Sequence, residues 1–170
     1  MDAVRRSHAD VSHDKCHMTR PRKLSILLSM KWMDEYATGV TRIDDHHKMI
    51  FRTAEDFRLA LDTGRGENTY GLLLDFLDLY VRGHFGFEED CMDEYRCPVA
   101  RKNKQAHAAF LEVLQGYRQQ YAAGGYRPAD ARDLVDAIDN WLDGHICRID
   151  VQLKGYVRNS RSASAAASPS

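Results

Sequence analysis

The segment LLDFLDLYVRGHFGFEEDC, residues 73–91, combines a helical apolar pattern with polar residues on the face that the pattern would bury. Its apolar residues recur at steps of three or four, as at Leu73 and Leu77, which is typical of one face of an amphipathic helix. The same face continues to His84 and Glu88. Because burying an ionised carboxylate or an unsatisfied imidazole is costly, the segment predicts that something inside the protein satisfies both side chains.

Three other segments show the same combination of helical periodicity and polar residues on the apolar face. Numbered along the chain, with the segment at 73–91 as the second, the first covers residues 41–62 and the third begins at Pro98. The fourth begins at Pro128 and extends past residue 153. The polar residues on these faces are His47 in the first segment, Asn103 and His107 in the third, and His145 and Asp150 in the fourth. All four predicted helices therefore present histidine or carboxylate to the interior.

Short links join the four segments, so we expect consecutive helices to pack antiparallel. Thr41 and Asp44 fit a capping box at the start of the first helix. Pro98 and Pro128 fit the first position of the third and fourth helices. The pattern predicts an all-α fold, an up-down-up-down four-helix bundle with disordered N- and C-terminal extensions.

Composition limits the size of the protein and the kinds of partner that it suits. The 170 residues, 44% of them hydrophobic, are enough for one domain with a buried core. Lys and Arg number 24 against 25 Asp and Glu, and this balance gives no support for nucleic-acid binding. No apolar run approaches the roughly 18 residues of a membrane helix, so we expect no membrane partner.

The two ends of the chain differ from the patterned middle. Residues 1–29 show no sustained periodicity, and residues 158–170 are mostly Ser, Ala and Arg, which bury little. We therefore expect a disordered extension over 1–29, a metal-binding domain over 30–157 and a disordered tail over 158–170. The chain shows no export signal and no C-x-x-C pair, which indicates free thiols and a cytoplasmic location.

Two explanations account for the buried polar residues. One is a network of hydrogen bonds among them, which is the usual explanation for a single histidine on an apolar face. The other is a metal site, since imidazole nitrogens and carboxylate oxygens together suit iron, zinc or manganese. Two carboxylates, Glu88 and Asp150, can bridge two ions while four histidines fill terminal positions. The number of donors favours a two-metal site.

Three motifs give the chain a family resemblance over residues 31–157. Trp32 followed by Gly39-Val40 and IDDHH at 43–47 is similar to the opening W…G-I…I-D-x-Q-H of bacterial hemerythrins. HFGFEE at 84–89, followed by Met92, resembles H-F-x-x-E-E-x-x-M. WLDGHI at 141–146, followed by Asp150, resembles W-L-x-x-H-I-x-x-x-D. The chain resembles this family of single-domain oxygen-binding proteins.

The resemblance implies a cofactor and its ligands. It implies two iron ions bridged by an oxo or hydroxo group and by two carboxylates. The implied metal ligands are His47, His84, Glu88, His107, His145 and Asp150. O2 is expected at the iron held by His47 and His84. The resemblance also implies an oxygen pocket lined by Trp141, Leu142 and Ile146.

Two positions depart from the family pattern. Asn103 stands where the first histidine of the third-helix motif is expected, so that iron keeps only His107 and His145. The Asn103 amide oxygen would bind iron weakly, or the residue would hold a water there, or the site would fill poorly. Of these the second is favoured, because neutral amides are poor iron ligands. His46 replaces the usual glutamine, and we interpret it as a residue at the surface or behind the ligands.

The resemblance implies a non-enzymatic protein that binds O2 for transport, storage or delivery. The ligand set is rich in histidine, and the chain lacks the E-x-x-H motif of ferritin-like oxidases, which favours reversible binding. The alternatives are a redox role at the same centre, in peroxide or nitric-oxide handling, and O2 or redox sensing. The expected partner is O2, with an unidentified electron donor or oxygen acceptor.

Overall fold

The computed structural model describes residues 30–166, so the extension predicted over 1–29 lies outside the described residues. Five α-helices account for most of this part of the chain, and residues 30–166 contain no β-strand. The helices are α1 (Thr41–Asp62), α2 (Gly66–Glu94), α3 (Ala100–Gly124), α4 (Pro128–Trp141) and α5 (Leu153–Ala166). A 3₁₀ turn, Asp34–Tyr36, precedes α1. None of the helices in residues 30–166 has the length and apolarity to cross a membrane.

Helices α1 to α4 pack as the predicted four-helix bundle. Helix α1 packs against α2 and α4, and α3 packs against α2 and α4, which closes the bundle around one interior. The loops between the helices are short, as antiparallel neighbours require. The all-α, up-down-up-down prediction is confirmed.

The antiparallel arrangement places a large group of buried apolar residues and a group of buried polar residues at different levels along the bundle. We call one end the apolar half; it contains Phe57, Tyr70, Leu74, Leu114 and Leu134, which are all at most 4% exposed. We call the other end the polar half; it contains His47, His84, Glu88, Asn103, His107, His145 and Asp150, which are all at most 2% exposed. The polar half combines the first part of α1 and α3 with the last part of α2 and the segment after α4. Alternating chain direction therefore brings the polar positions of all four predicted helices together.

The helix starts differ in detail from the predicted caps. Helix α1 begins at Thr41 as predicted, but Thr41 makes no capping hydrogen bond. Its predicted partner Asp44 instead accepts hydrogen bonds from the backbone N–H and hydroxyl of Thr38, at 2.7 and 2.8 Å, and from the Gly39 N–H at 3.3 Å. The carboxylate holds the preceding loop against the helix. Helix α3 begins at Ala100, so Pro98 precedes its first position by two residues.

The predicted fourth helix is not continuous. Helix α4 ends at Trp141, a π-helical segment covers Leu142–Ile146, and a 3₁₀ turn covers Asp150–Gln152. In a regular α-helix, residues five apart point about 140° away from each other. The wider π turn changes this register, and His145 and Asp150 both reach the interior of the polar half.

Helix α5 extends beyond the predicted end of the domain. Residues 158–166 are helical, where the sequence predicted a disordered tail over 158–170, and residues 167–170 lie outside the described residues. Leu153 and Val157 are buried in a small apolar cluster with Ile43. The side chain of Arg161 donates a hydrogen bond to the carbonyl oxygen of Gly39 at 3.0 Å. Contact with the start of α1 thus supports a helix whose own composition buries little.

Candidate metal centre

The first group of possible metal ligands comes from α1 and α2. His47, His84 and Glu88 each present a ligand atom, and these atoms lie within 4.8 Å of one another. His84 and Glu88 are one helical turn apart on α2, which places both on the same face. The two histidine rings meet edge to face, with centroids 4.7 Å apart.

The second group comes from α2, α3 and the irregular segment after α4. Glu88, His107, His145 and Asp150 present ligand atoms within 4.8 Å of one another. Glu88 belongs to both groups. The six residues that the resemblance implied as metal ligands therefore lie together in the polar half.

Each of the two carboxylates faces both groups. One oxygen of Glu88 lies 3.6 Å from Nε2 of His47, and the other lies 3.3 Å from Nε2 of His107. One oxygen of Asp150 lies 3.5 Å from Nε2 of His47, and the other lies 3.2 Å from Nε2 of His145. This is the arrangement that two carboxylates need to bridge a pair of ions.

Many polar atoms in the polar half have no hydrogen-bond partner among the described residues. They include Nε2 of His47, His84, His107 and His145, Oε1 of Glu88 and Oδ2 of Asp150. Buried polar atoms without partners are costly, and most native proteins satisfy them. Four imidazole nitrogens and two carboxylates directed at one small volume fit a pair of first-row metal ions such as iron. Hydrogen bonds among the residues do not complete the network that was the alternative explanation.

Burial keeps three histidines of the site, His47, His84 and His145, in the neutral form that binds metal. Burial lowers the pKa of His47 to about 4 and the pKa of His145 to about 2. The pKa of His84 falls well below its ordinary value for the same reason. An imidazole must be neutral to donate its lone pair to a metal, so these three residues are ready to bind one at neutral pH.

The pKa of Asp150 shifts upward, whereas the pKa values of these histidines shift downward. Burial raises the pKa of its carboxyl well above the ordinary value, and the nearby charge of Glu88 adds to this effect. A hydrogen bond from the amide of Asn103 acts in the other direction. Two carboxylates so close together in a dry interior need cations to remain ionised, which the proposed metal ions would provide.

Asn103 lies at the centre of the second group. Its side-chain amide donates hydrogen bonds to Oδ1 of Asp150 at 2.9 Å and to Oε2 of Glu88 at 3.4 Å. These are the same oxygens that face His145 and His107. Its Oδ1 has no hydrogen-bond partner among the described residues. The amide thus contacts both candidate bridging groups, a role that we did not foresee from the sequence.

The three residues predicted to line an oxygen pocket belong to the main apolar cluster. Leu142 and Ile146 are fully buried there. Trp141 stacks on His145, with ring centroids 4.6 Å apart and planes 20° from parallel. The aromatic ring beside His47 is instead Trp32, with centroids 6.2 Å apart. Trp141 therefore contacts the second group rather than the pair of histidines expected to hold the oxygen-binding iron.

Two residues lie next to the candidate ligands, and only one of them, His46, was identified from the sequence. His46 packs between Tyr80 and His84, with ring centroids 5.4 Å from each, which agrees with a position behind the ligands. Glu89 was not singled out, yet one of its oxygens lies 3.0 Å from Nδ1 of His107. The two residues are 18 positions apart, and no local pattern links them. Only the doubled glutamate after His84 marked the position.

Comparison with known proteins adds an independent observation. Residues 38–157 match the family model described as the Hemerythrin HHE cation binding domain. This chain belongs to the hemerythrin family. The resemblance drawn from the three sequence motifs is confirmed, and the matched residues contain every donor of the polar half.

Relatives of this hemerythrin domain include bacterial and animal proteins. A bacteriohemerythrin of Pseudomonas paraeruginosa is 31% identical over 134 residues, which cover 77% of this chain and 83% of the relative. A bacteriohemerythrin of Stenotrophomonas maltophilia is 28% identical over 115 residues, covering 68% and 72%. A myohemerythrin of Sipunculus nudus is 27% identical over 124 residues, covering 73% and 90%. The hemerythrin domain thus corresponds to most of the length of these proteins.

Proposed function

We propose that the polar half holds two iron ions and that the protein binds O2 reversibly, for transport, storage or delivery. The observation that carries this proposal is the placement of Glu88 and Asp150, each of which faces both histidine groups with different oxygens. When bound, two ferrous ions supply an open coordination position and the two electrons that O2 binding requires.

The protein contributes ligands that favour reversible binding. Four imidazoles, which carry no negative charge, and only two carboxylates give the ions little negative charge, so highly oxidised metal gains little stabilisation. His47 and His84 would hold the iron that offers a position to O2. His107 and His145 would hold the other iron. The two carboxylates would bridge the ions and keep them at a fixed separation.

Apolar side chains around the site would exclude water. Leu142 and Ile146 are fully buried, and Phe85 stacks on His107 with ring centroids 3.7 Å apart. A dry site limits the delivery of protons to bound O2, which would otherwise be lost as a reduced product. We propose that Trp141 completes this enclosure on the side of the second group.

The proposal is tested by iron content and by optical spectra of anaerobically reduced protein. We expect about two irons per chain, consistent with the two donor groups, and an absorption band that appears with O2 and disappears when O2 is removed. His46→Gln serves as a control, because it changes a neighbour of the site without removing a proposed ligand. Protein that binds no iron, or a band that never reverses, would contradict the proposal.

Asn103 favours a second candidate function, a redox role in peroxide or nitric-oxide handling. Its amide nitrogen bonds to Asp150 and Glu88, and a neutral amide is a weak ligand for iron. The iron held by His107 and His145 would then have two histidine ligands, where the resemblance implied three. An extra exchangeable position there would admit a small oxidant.

The variant Asn103→His separates the two functions. If the redox role applies, the original protein turns over peroxide and the variant does not. The iron centre of the variant should also oxidise more slowly in air than that of the original protein. If oxygen carriage applies, the original protein and the variant both show a reversible O2 band and negligible peroxide turnover. Asn68→His, on the exposed surface of α2, controls for the added histidine.

A further inference from the structure

Glu89 lies beside the candidate metal centre, between α2 and α3. Its Oε1 lies 3.0 Å from Nδ1 of His107, and its Oε2 lies 3.4 Å from Nζ of Lys104. The side chain of His107 is 2% exposed and that of Glu89 is 23% exposed. The glutamate therefore forms the outer edge of the site, partly shielded from water and paired with a cation on its other side.

This contact distinguishes His107 from the other three histidines of the site. Nδ1 of His47, His84 and His145 has no hydrogen-bond partner within the described part of the chain. Nδ1 of His107 has a carboxylate, while its Nε2 lies 3.3 Å from Oε2 of Glu88. The two nitrogens of one ring thus face two different carboxylates, one outside and one inside the site.

We propose that Glu89 is a positioning residue that prepares His107 to bind metal. A carboxylate that accepts a hydrogen bond from Nδ1–H favours the tautomer in which Nε2 carries the free lone pair. It also fixes the ring orientation and makes Nε2 a stronger donor. The inference rests on the proposed metal centre, because it assigns Nε2 of His107 to a metal.

Two features explain why such support matters at His107. Asn103 occupies the position where the resemblance implied a third histidine, so this group has only two imidazoles, His107 and His145. A stronger donor at His107 compensates in part for the missing ligand. Phe85 stacks on the His107 ring with planes 7° from parallel, so the ring is held by its face as well as by its edge.

The tautomer of His107 gives a test that needs no metal. We expect ¹⁵N NMR of the metal-free protein to show the ring proton of His107 on Nδ1. Glu89→Ala should shift this proton toward Nε2, and Glu89→Gln, which keeps the shape and one acceptor oxygen, should have a smaller effect. Glu94→Gln is the matched control, because Glu94 is an exposed glutamate on the same helix.

Titration with Co²⁺ alone, followed by visible absorption, measures the consequence for binding. Support from a carboxylate behind a ligating histidine typically changes metal affinity by about 10- to 100-fold. We expect Glu89→Ala to weaken the weaker of the two Co²⁺ binding steps by about tenfold or more. Glu89→Gln should lie between Glu89→Ala and the original protein, and Glu94→Gln should match the original protein.

The outcomes separate this inference from the proposed function. Original protein that binds no Co²⁺ would overturn the metal centre itself. Original protein that binds two Co²⁺ ions, with the same affinity and the same His107 tautomer in Glu89→Ala, would overturn the role of Glu89 alone. A lower melting temperature without a change in tautomer would assign Glu89 to packing and would also overturn it. If Glu89→Ala fails to fold, the nearly isosteric Glu89→Gln decides by the same two measurements.

Discussion

The same four helices bury mainly apolar side chains in one half of the bundle and a group of polar side chains in the other. In the apolar half, Phe57, Tyr70 and Leu134 are at most 4% exposed, and in the polar half Glu88 and Asp150 are completely buried. Burying a large apolar side chain stabilises a fold by about 1.5–3 kcal/mol, whereas burying an unpaired charge costs several kcal/mol. The comparison teaches that the apolar half is stabilised by its own packing, whereas the polar half would depend on the metal ions that we propose it binds.

The largest effect should come from removing the metal. An ion present at a thousand times its dissociation constant stabilises the folded state by about 4 kcal/mol. Chelation should therefore lower the melting temperature and increase hydrogen exchange in the polar half, while the apolar half keeps most of its protection. Hydrogen–deuterium exchange with mass spectrometry measures both ends at once. Equal loss of protection at the two ends would break the comparison.

A cavity in the apolar half should act independently of metal. Leu134 is 1% exposed, and Leu134→Ala should lower the free energy of unfolding by about 2–5 kcal/mol. The loss should be the same in metal-loaded and metal-free protein, as measured by urea unfolding. Leu79→Ala is the control, because Leu79 is 81% exposed and its truncation should cost little. A loss for Leu134→Ala that depends strongly on metal would show that the two ends are coupled.

Acid should destabilise the metal-free protein through the polar half. Burial lowers the pKa of His47 to about 4 and that of His145 to about 2, so below pH 6.5 the unfolded chain takes up protons that the folded chain does not. The free energy of unfolding should fall by about 1.4 kcal/mol per pH unit for each such histidine, between pH 6.5 and the folded-state pKa. The pKa of Asp150 is raised, so its carboxyl binds a proton more readily in the folded chain than in the unfolded chain. This uptake offsets the effect of one histidine on the free energy of unfolding.

Urea unfolding of metal-free protein at pH 7, 6 and 5 measures this slope. His47→Gln removes one of the titrating groups and should make the slope shallower, while Leu134→Ala should lower all three values equally. A free energy of unfolding that stays constant over this range would contradict the role assigned to the buried histidines.

The smallest expected change in stability comes from replacing two glycines, one near each end of the bundle. Gly39, in the loop that leads into the polar half, has φ +84°, and Gly39→Ala should cost about 1–2 kcal/mol because other residues are strained there. Gly116 lies within α3 in the apolar half with open space around it. Gly116→Ala should instead stabilise the protein by about 0.5–1 kcal/mol. Thermal unfolding measures both, and the same sign for the two substitutions would contradict this assignment.

Helical periodicity was a sufficient guide where the helices are regular. It predicted residues 41–62 as a helix, and α1 has these bounds. It failed after Trp141, where the π-helical segment interrupts the pattern. A periodic pattern averages over several turns, so it does not register one wider turn. The five-residue spacing between His145 and Asp150 was the local sign that a regular helix would not suffice.

The sequence by itself determined the four helical segments, the set of polar residues on their inner faces and the hemerythrin family, because each follows from spacing within short segments of the chain. Only the tertiary structure decided that Glu88 and Asp150 each face two histidine groups, that Asn103 bonds to both carboxylates, and that Glu89 lies against His107. These contacts join residues from different helices, and their distances depend on how the helices pack. Local patterns carry no information about such distances, and the packed bundle defines them.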